Sequence, residues 1–404
     1  MIVSTDTSGL PVYNEDYLCF DPEERLYING KWQDGLVPHF GLPANDRQQI
    51  ERFLTLMNEY RYLKGKDGKD VFAIPVNTSS ADESFTKLDN ITMKDWLQQE
   101  NLSSSYLHDY INYCTRDDFG TPYNICSAWV GIHYFAARKG KGTNATHSDV
   151  ITWPQGNGFL IHALTQGIEE NIFTECLAVN VEEINKGVVV SYFDVKKNTL
   201  YAIEAEQCIL AVPQFIATRL LKDNNRTEKV TQHLHYVPWM VANLTVNPLE
   251  ERSGAPLSWD NVIHQSSSLG YVEATHQLTQ QYIPQKNLTY YLPLTGKSTI
   301  EERKLAQSKT FDEWVDLIVN DLKKVHPNIG EAVEEINIML WGHAMAQPLP
   351  GIIHGGIRKE LSASINNCIH FAHTDLAGIS IFEEGFYQGL NAAKKVLEQL
   401  KQVS

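Results

Sequence analysis

The chain has 404 residues, 43% of them apolar, enough for two packed domains of ordinary globular composition. A formal charge of −15 speaks against a nucleic-acid binder, which would carry clustered Lys and Arg. No apolar run approaches the roughly 18 residues a membrane span needs, and the opening MIVSTDTSGLPVYNEDY has neither the basic nor the apolar region of a secretory signal.

The first forty residues read as irregular, punctuated by Gly, Pro and Asp. From Asp46 the pattern becomes helical, with Ile50, Phe53, Leu54, Met57, Tyr60 and Tyr62 at three- and four-residue spacing. Thr92 predicts the cap of a second helix, MKDWLQQE, and Ser103 to Asp118 predicts a third, so residues 41 to 140 form a mainly helical block. A polar, Gly-rich connector (139–148) leads to a turn on Pro154, Gly156 and Gly158 and then an amphipathic helix.

Residues 172 to 213 change period and predict a three-stranded meander: IFTECLAVNVEEI, GVVVSYFD and LYAIEAEQCILAVP. HYVPWMVANLTVN, SLGYVEATHQ, LTYYLPL and EEINIMLWGHAM read as further strands, with a helix over Phe311 to His326 stopped by Pro327. A last helix carries Phe386, Leu390, Ala393, Leu397 and Leu400 on one face, which predicts packing against a core. This interleaving suggests two domains, each built from separate chain segments.

The common motifs are missing. Gly156-Asn157-Gly158 follows Trp-Pro rather than a strand, and Ile161 stands where a third Gly would be, so it reads as a turn and not a phosphate loop. There is no Walker loop, no HExxH and no G-x-S-x-G. His233 and His235, on a strand, would share a face, but two ligands are too few for a metal. Six scattered cysteines, Cys19, Cys114, Cys126, Cys176, Cys208 and Cys368, make neither a disulfide framework nor a zinc ribbon. They read as reduced thiols, and the chain as cytoplasmic, with an export signal upstream of Met1 left open.

The end of the chain is more specific. IHFAHTDLAGISIFEEG places Asp375 at the end of a strand and Phe382 to Gly385 at the mouth of a helix. A carboxylate there can accept from ligand hydroxyls, and the positive end of a helix stabilises developing negative charge. An ordinary capped helix fits the same residues. His373 beside Asp375 also allows a hydrolase reading.

Four segments together resemble the amine-oxidase-like FAD oxidoreductases, the group of monoamine and polyamine oxidases, protoporphyrinogen oxidase and carotenoid desaturases. They are WPQGNGFLIHAL, CILAVPQFIATRLL, LWGHAMAQPLPG and IHFAHTDLAGISIFEEGFYQGLNAAKKVL, in that order. The resemblance implies an α/β (α+β) two-domain fold holding FAD, with a small organic substrate giving up a hydride between the ring and the mixed sheet of residues 231 to 295. It implies an FAD-binding domain from 1–40, 140–215 and 341–404, and a substrate domain from 41–139 and 216–340.

Carried residue by residue, it assigns Asp375 to the ribityl and pyrophosphate region, and Ser380, Ile381, Phe382 and Glu384 to the flavin edge, largely through backbone groups. Ala178, Ala211 and Val212 fall on the adenosine side, and Trp341 near the ring. His343, next to Trp341, is the candidate catalytic group, with a packed histidine as the alternative.

There are departures. His373 replaces the usual Gly, Phe382 replaces a tyrosine of the aromatic cage, and the motifs match the family's catalytic lysine to no particular position of this chain. The glycine fingerprint, the ribose-binding acid and the first βαβ unit are missing as well. The chain therefore reads as an incomplete member, with a partner chain carrying that unit, or a non-catalytic remnant, as the alternatives.

Overall fold

The computed structural model describes residues 1–19, 23–146, 149–276, 278 and 284–403. A small antiparallel pair, β1 (Ile2–Thr5) and β2 (Pro11–Tyr13), opens the chain. β3 (Glu24–Ile28) then returns on β4 (Lys31–Asp34) through Asn29 and Gly30, both at positive φ (51° and 80°). Asn-Gly is the pair that tolerates this turn. These four short strands lie where the sequence predicted irregular chain. β3 has its second partner far away, pairing in parallel with residues 260–263 (β10) at Leu26↔Val262.

The helical block forms as predicted. α1 (Ala44–Tyr62) buries Ile50, Phe53 and Met57. α2 (Met93–Gln99) starts at a reciprocal capping box: Thr92 Oγ1 accepts from the Asp95 amide, and the Asp95 carboxylate accepts from the Thr92 amide. α3 (Ser105–Phe119) is capped by Ser104 and closed by Gly120 at φ 56°, a left-handed position that suits glycine. α4 (Ala128–Ala136) is buried along almost its whole length and makes the centre of the block.

After α5 (Gly158–Thr165) come β5 (Cys176–Ile184), β6 (Gly187–Asp194) and β7 (Thr199–Ala205), the predicted meander. Its predicted third strand breaks at Glu206-Gln207. The remainder, β8 (Cys208–Leu210), leaves the meander and pairs in parallel with β14 (Ile369–Phe371). α6 (Gln214–Leu221) and α7 (Asn224–His233) follow. His233 closes α7 and His235 precedes the next strand, so the two imidazoles do not share a strand face.

The main sheet has seven strands in the order β13-β9-β12-β11-β10-β3-β4, where β9 is Tyr236–Val246, β10 Asp260–Ile263, β11 Tyr271–Glu273 and β12 Lys286–Pro293. α8 (Thr299–Ser308) and α9 (Phe311–Leu322) follow β12, and β13 (Val333–Ala346) pairs with β9 on the far side. Strand alternation divides the side chains between two faces. Met240, Ala242, Leu244, Leu288, Tyr290 and Leu292 pack on Trp314, Ile318 and Leu322 of α9. Residues 24–34, grouped by sequence with the FAD-binding domain, hydrogen-bond into this sheet instead, because β3 completes its edge.

β14 (Ile369–Phe371), a turn at Thr374–Leu376 and α10 (Phe382–Val403) end the chain. The predicted packing of α10 is inverted. Glu384, Gln388 and Ala392 are its buried residues, while Phe386, Leu390, Leu397 and Leu400 are 45%, 44%, 57% and 39% exposed. None of the six cysteines is in a disulfide: Cys19, Cys114, Cys126 and Cys368 are buried, Cys176 and Cys208 partly so. Among the described residues, no helix is long and apolar enough to cross a membrane.

Candidate functional site

The other face of the main sheet is left open over much of its area. Val241, Asn243, Thr289, Tyr291, Met339 and Trp341 alternate with the packed residues and share this face through the registers Met339↔Val241 and Tyr291↔Val241. Met339 and Trp341 are 55% and 54% exposed, unusual for large apolar side chains on a sheet. The loop before α5 approaches the same face. Trp153, Pro154, Gly156 and Asn157 line a cavity of about 280 Å³ with Trp259, Val272, Thr289 and Tyr291. The Trp153 ring is held there by Phe159, stacked at 5.1 Å. The predicted Pro-Gly turn therefore builds one wall of a cleft.

Acids collect at the α3 end of this face. The Tyr113 hydroxyl donates to Asp260 Oδ2 at 3.0 Å. Burial, then Glu24, pushes the Asp260 carboxyl up to about 7. Burial also raises Asp117 and Glu24, and Tyr291 is pushed up to about 12 by burial and then by Asp260 and Asp117. Sequence reading passed over Asp260, Tyr113, Tyr291 and Trp153, because nothing in their local spacing shows that they converge.

Trp341, at the cleft's outer strand, sits opposite Trp239 in the β13–β9 register. His343 lies in the irregular stretch that follows, between Trp341 and Met345. Its imidazole stacks on Phe215 (4.4 Å, 25°) and meets Tyr236 edge-on. Burial, with the cations of Arg303 and Arg219, lowers its pKa, so it stays neutral at pH 7.

Asp375 requires a correction. It is 2% exposed, and its carboxylate is committed to protein: Oδ2 accepts from the Gln214 amide at 2.8 Å and from the Tyr236 hydroxyl at 2.6 Å. Oδ1 lies 3.1 Å from Nδ1 of His373, a nitrogen that also accepts from the Asp375 amide. The side chain holds the start of α6 and the start of β9 to the end of the chain. Both of its hydrogen bonds, made through Oδ2, go to protein, so the carboxylate serves the fold first, and the neighbouring His373 ring is held against it.

The Glu384 side chain is likewise turned inward, fully buried, with Oε1 accepting from the Val76 amide at 2.6 Å. Burial pushes it up to about 7, against the pull of that amide and of Arg358. What the segment offers is backbone. The amides of Phe382, Glu383 and Glu384 open α10, and no backbone carbonyl of the described residues accepts from them outside the helix. Ser380, Ile381 and Phe382 are half-buried at this mouth. Of the residues the resemblance assigned to the adenosine, Ala178 is exposed near the start of β5. Ala211 and Val212 lie past β8, in the link to α6.

A seven-stranded mixed sheet with one open face, a helical block, a three-stranded meander and a parallel strand pair feeding a C-terminal helix define the amine-oxidase-like two-domain fold. The solved structures bear this out. A putrescine oxidase bound to putrescine superposes with a TM-score of 0.67 at 12% identity, covering 98% of this chain and 90% of that one. Cyclohexylamine oxidase from Brevibacterium oxydans IH-35A gives 0.64 at 14% identity, covering 95% and 82%. By sequence, no family profile and no curated protein matches.

Proposed function

We propose that this chain is an FAD-dependent oxidoreductase of the amine-oxidase-like kind, acting on a small organic substrate in the cleft over the main sheet. The observation that carries the reading is the open face with Trp341, Met339 and Tyr291, in a fold shared with two amine oxidases over nearly the whole chain. Flavin, when bound, supplies the hydride acceptor; orientation and water exclusion are left to the protein.

The residues here fit the ring end of the cofactor. The amides of Phe382 to Glu384 would face a ring edge that gains negative charge, and Trp341 would wall the ring. Asp375 acts one step back, by fixing β14 and the turn that precedes α10. His343, neutral at pH 7, is a polar group able to accept a proton beside the ring wall. Tyr113 and Asp260 would hold a proton at the far end of the cleft. The test is the purified full chain with FAD: a yellow protein, bleached anaerobically by small amines, supports the proposal. A colourless protein that FAD does not stabilise against heat removes it.

A second reading is favoured by a separate observation: a further strand-and-helix unit, fused or supplied by a partner chain, completes the cofactor half. Parallel sheets are normally covered on both faces, yet β8 and β14 form a sheet of only two strands with Ile209 39% exposed. The bare apolar stripe of α10 belongs to the same half of the molecule. Co-expression with a strand, a glycine-rich turn and a helix should then confer FAD binding that the chain alone lacks. If co-expression leaves FAD binding unchanged, this second reading fails.

A further inference from the structure

On α3, Arg116 is 8% exposed and forms no ion pair among the described residues. One Nη2–H donates to the Ser267 carbonyl, and Nε has no hydrogen-bond partner among the described residues. The carboxylate nearby is already engaged: Asp321 holds Ser266, Ser268, Tyr290 and Lys324. A buried cation without a counter-charge is costly, and such groups are normally paired.

Arg116 lines a groove of about 520 Å³. Leu292, Leu294, Leu305, Ala306, Trp314 and Leu317 form its apolar walls. A second donor lacks an acceptor in the same groove: Nε1 of Trp314, whose side chain is 3% exposed. Lys309 adds a positive charge over the Trp314 ring at 5.5 Å. Glu302 is the single acid among the lining residues, and it does not pair with Arg116. The groove therefore offers hydrogen-bond donors, excess positive charge and apolar walls.

We propose that this groove binds a small amphipathic carboxylate, an acyl or aryl acid, with its carboxylate on Arg116 and its apolar tail along Leu292, Leu305 and Leu317. The guanidinium gains the anion it lacks, and the tail is removed from water along the walls. The proposal does not depend on flavin.

The test is calorimetric titration of the full chain with hexanoate and octanoate, with octylamine and inorganic phosphate as controls. Octanoate should bind saturably, about tenfold more tightly than hexanoate as the added methylenes are buried. Arg116→Gln should weaken octanoate at least tenfold while leaving the ligand-free thermal midpoint unchanged or raised, since it removes an unpaired buried charge. Leu305→Glu, at a position 41% exposed, should abolish binding without unfolding the chain. Failure of octanoate to saturate at millimolar concentration would overturn the proposal. So would equal binding by octylamine or phosphate, or undiminished binding by both variants.

Discussion

The Tyr236 hydroxyl donates to Oδ2 of Asp375 at 2.6 Å, across 139 residues of sequence. The bond joins the first residue of the sheet's longest internal partner, β9, to the turn that sets up α10. Because the Gln214 amide reaches the same oxygen, one carboxylate fixes three chain segments. Burial and then Asp375 push the Tyr236 phenol well above its ordinary range, so it remains a donor at every physiological pH. Tyr236→Phe should therefore destabilise the fold by about 1.5–3 kcal/mol, the usual worth of a hydrogen bond to a charged group. Urea unfolding checks this, and a midpoint equal to that of the wild type would contradict it.

Glu384 gives a pH dependence with a definite sign. Its folded-state value is raised from the ordinary carboxylate range to about 7, chiefly by burial. Its contribution to stability is complete below the unfolded value and is lost as pH rises toward 7, because the unfolded chain releases the proton first. Glu384→Gln should thus gain on the wild type between pH 4.5 and pH 8 and hold that gain above it. Thermal midpoints measured at pH 4.5, 6 and 8 decide the matter; a constant difference is the contrary result.

The capping box of α2 is a purely local device. Thr92→Ala removes the oxygen that accepts from the Asp95 amide and should cost about 1 kcal/mol, within the 0.5–2 usual for such caps. Chemical denaturation measures this, with Thr92→Ser as the variant expected to retain most of the stability.

The outward face of α10 makes opposite predictions for two arrangements. As an open surface, Leu397→Gln should change stability by less than about 0.5 kcal/mol and should lower dye binding and self-association. Were the stripe buried in a core, truncating the same residue to Ala would cost about 2–5 kcal/mol. Unfolding and light scattering on one sample distinguish the two.

His343 should titrate below the ordinary histidine value, since burial, Arg303 and Arg219 all oppose its charge. Imidazole proton shifts followed from pH 4 to 8 give the midpoint. A value above 6.5 would mean that the ring stacked on Phe215 is not in this environment.

Local pattern was enough for α1, α2, α3, the first two meander strands and β9, β11, β12 and β13 of the main sheet, because periodicity and caps act within a few residues. The order of four segments was enough to anticipate the fold. What residues 1–40 do was not legible: β3 is a strand because β10, more than two hundred residues later, supplies its hydrogen bonds. Asp375 shows the same limit in the site. Its position at a strand end was readable, but the Gln214 amide and the Tyr236 hydroxyl that consume its carboxylate arrive from other segments. The apolar stripe of α10 was readable as a stripe, yet which face turns inward is set by Val76 and Arg358 around Glu384. Sequence thus determined the elements and their order, whose causes are short-range. Tertiary structure decided which side chains are free to meet a ligand, since exposure and hydrogen-bond occupancy depend on partners distant along the chain.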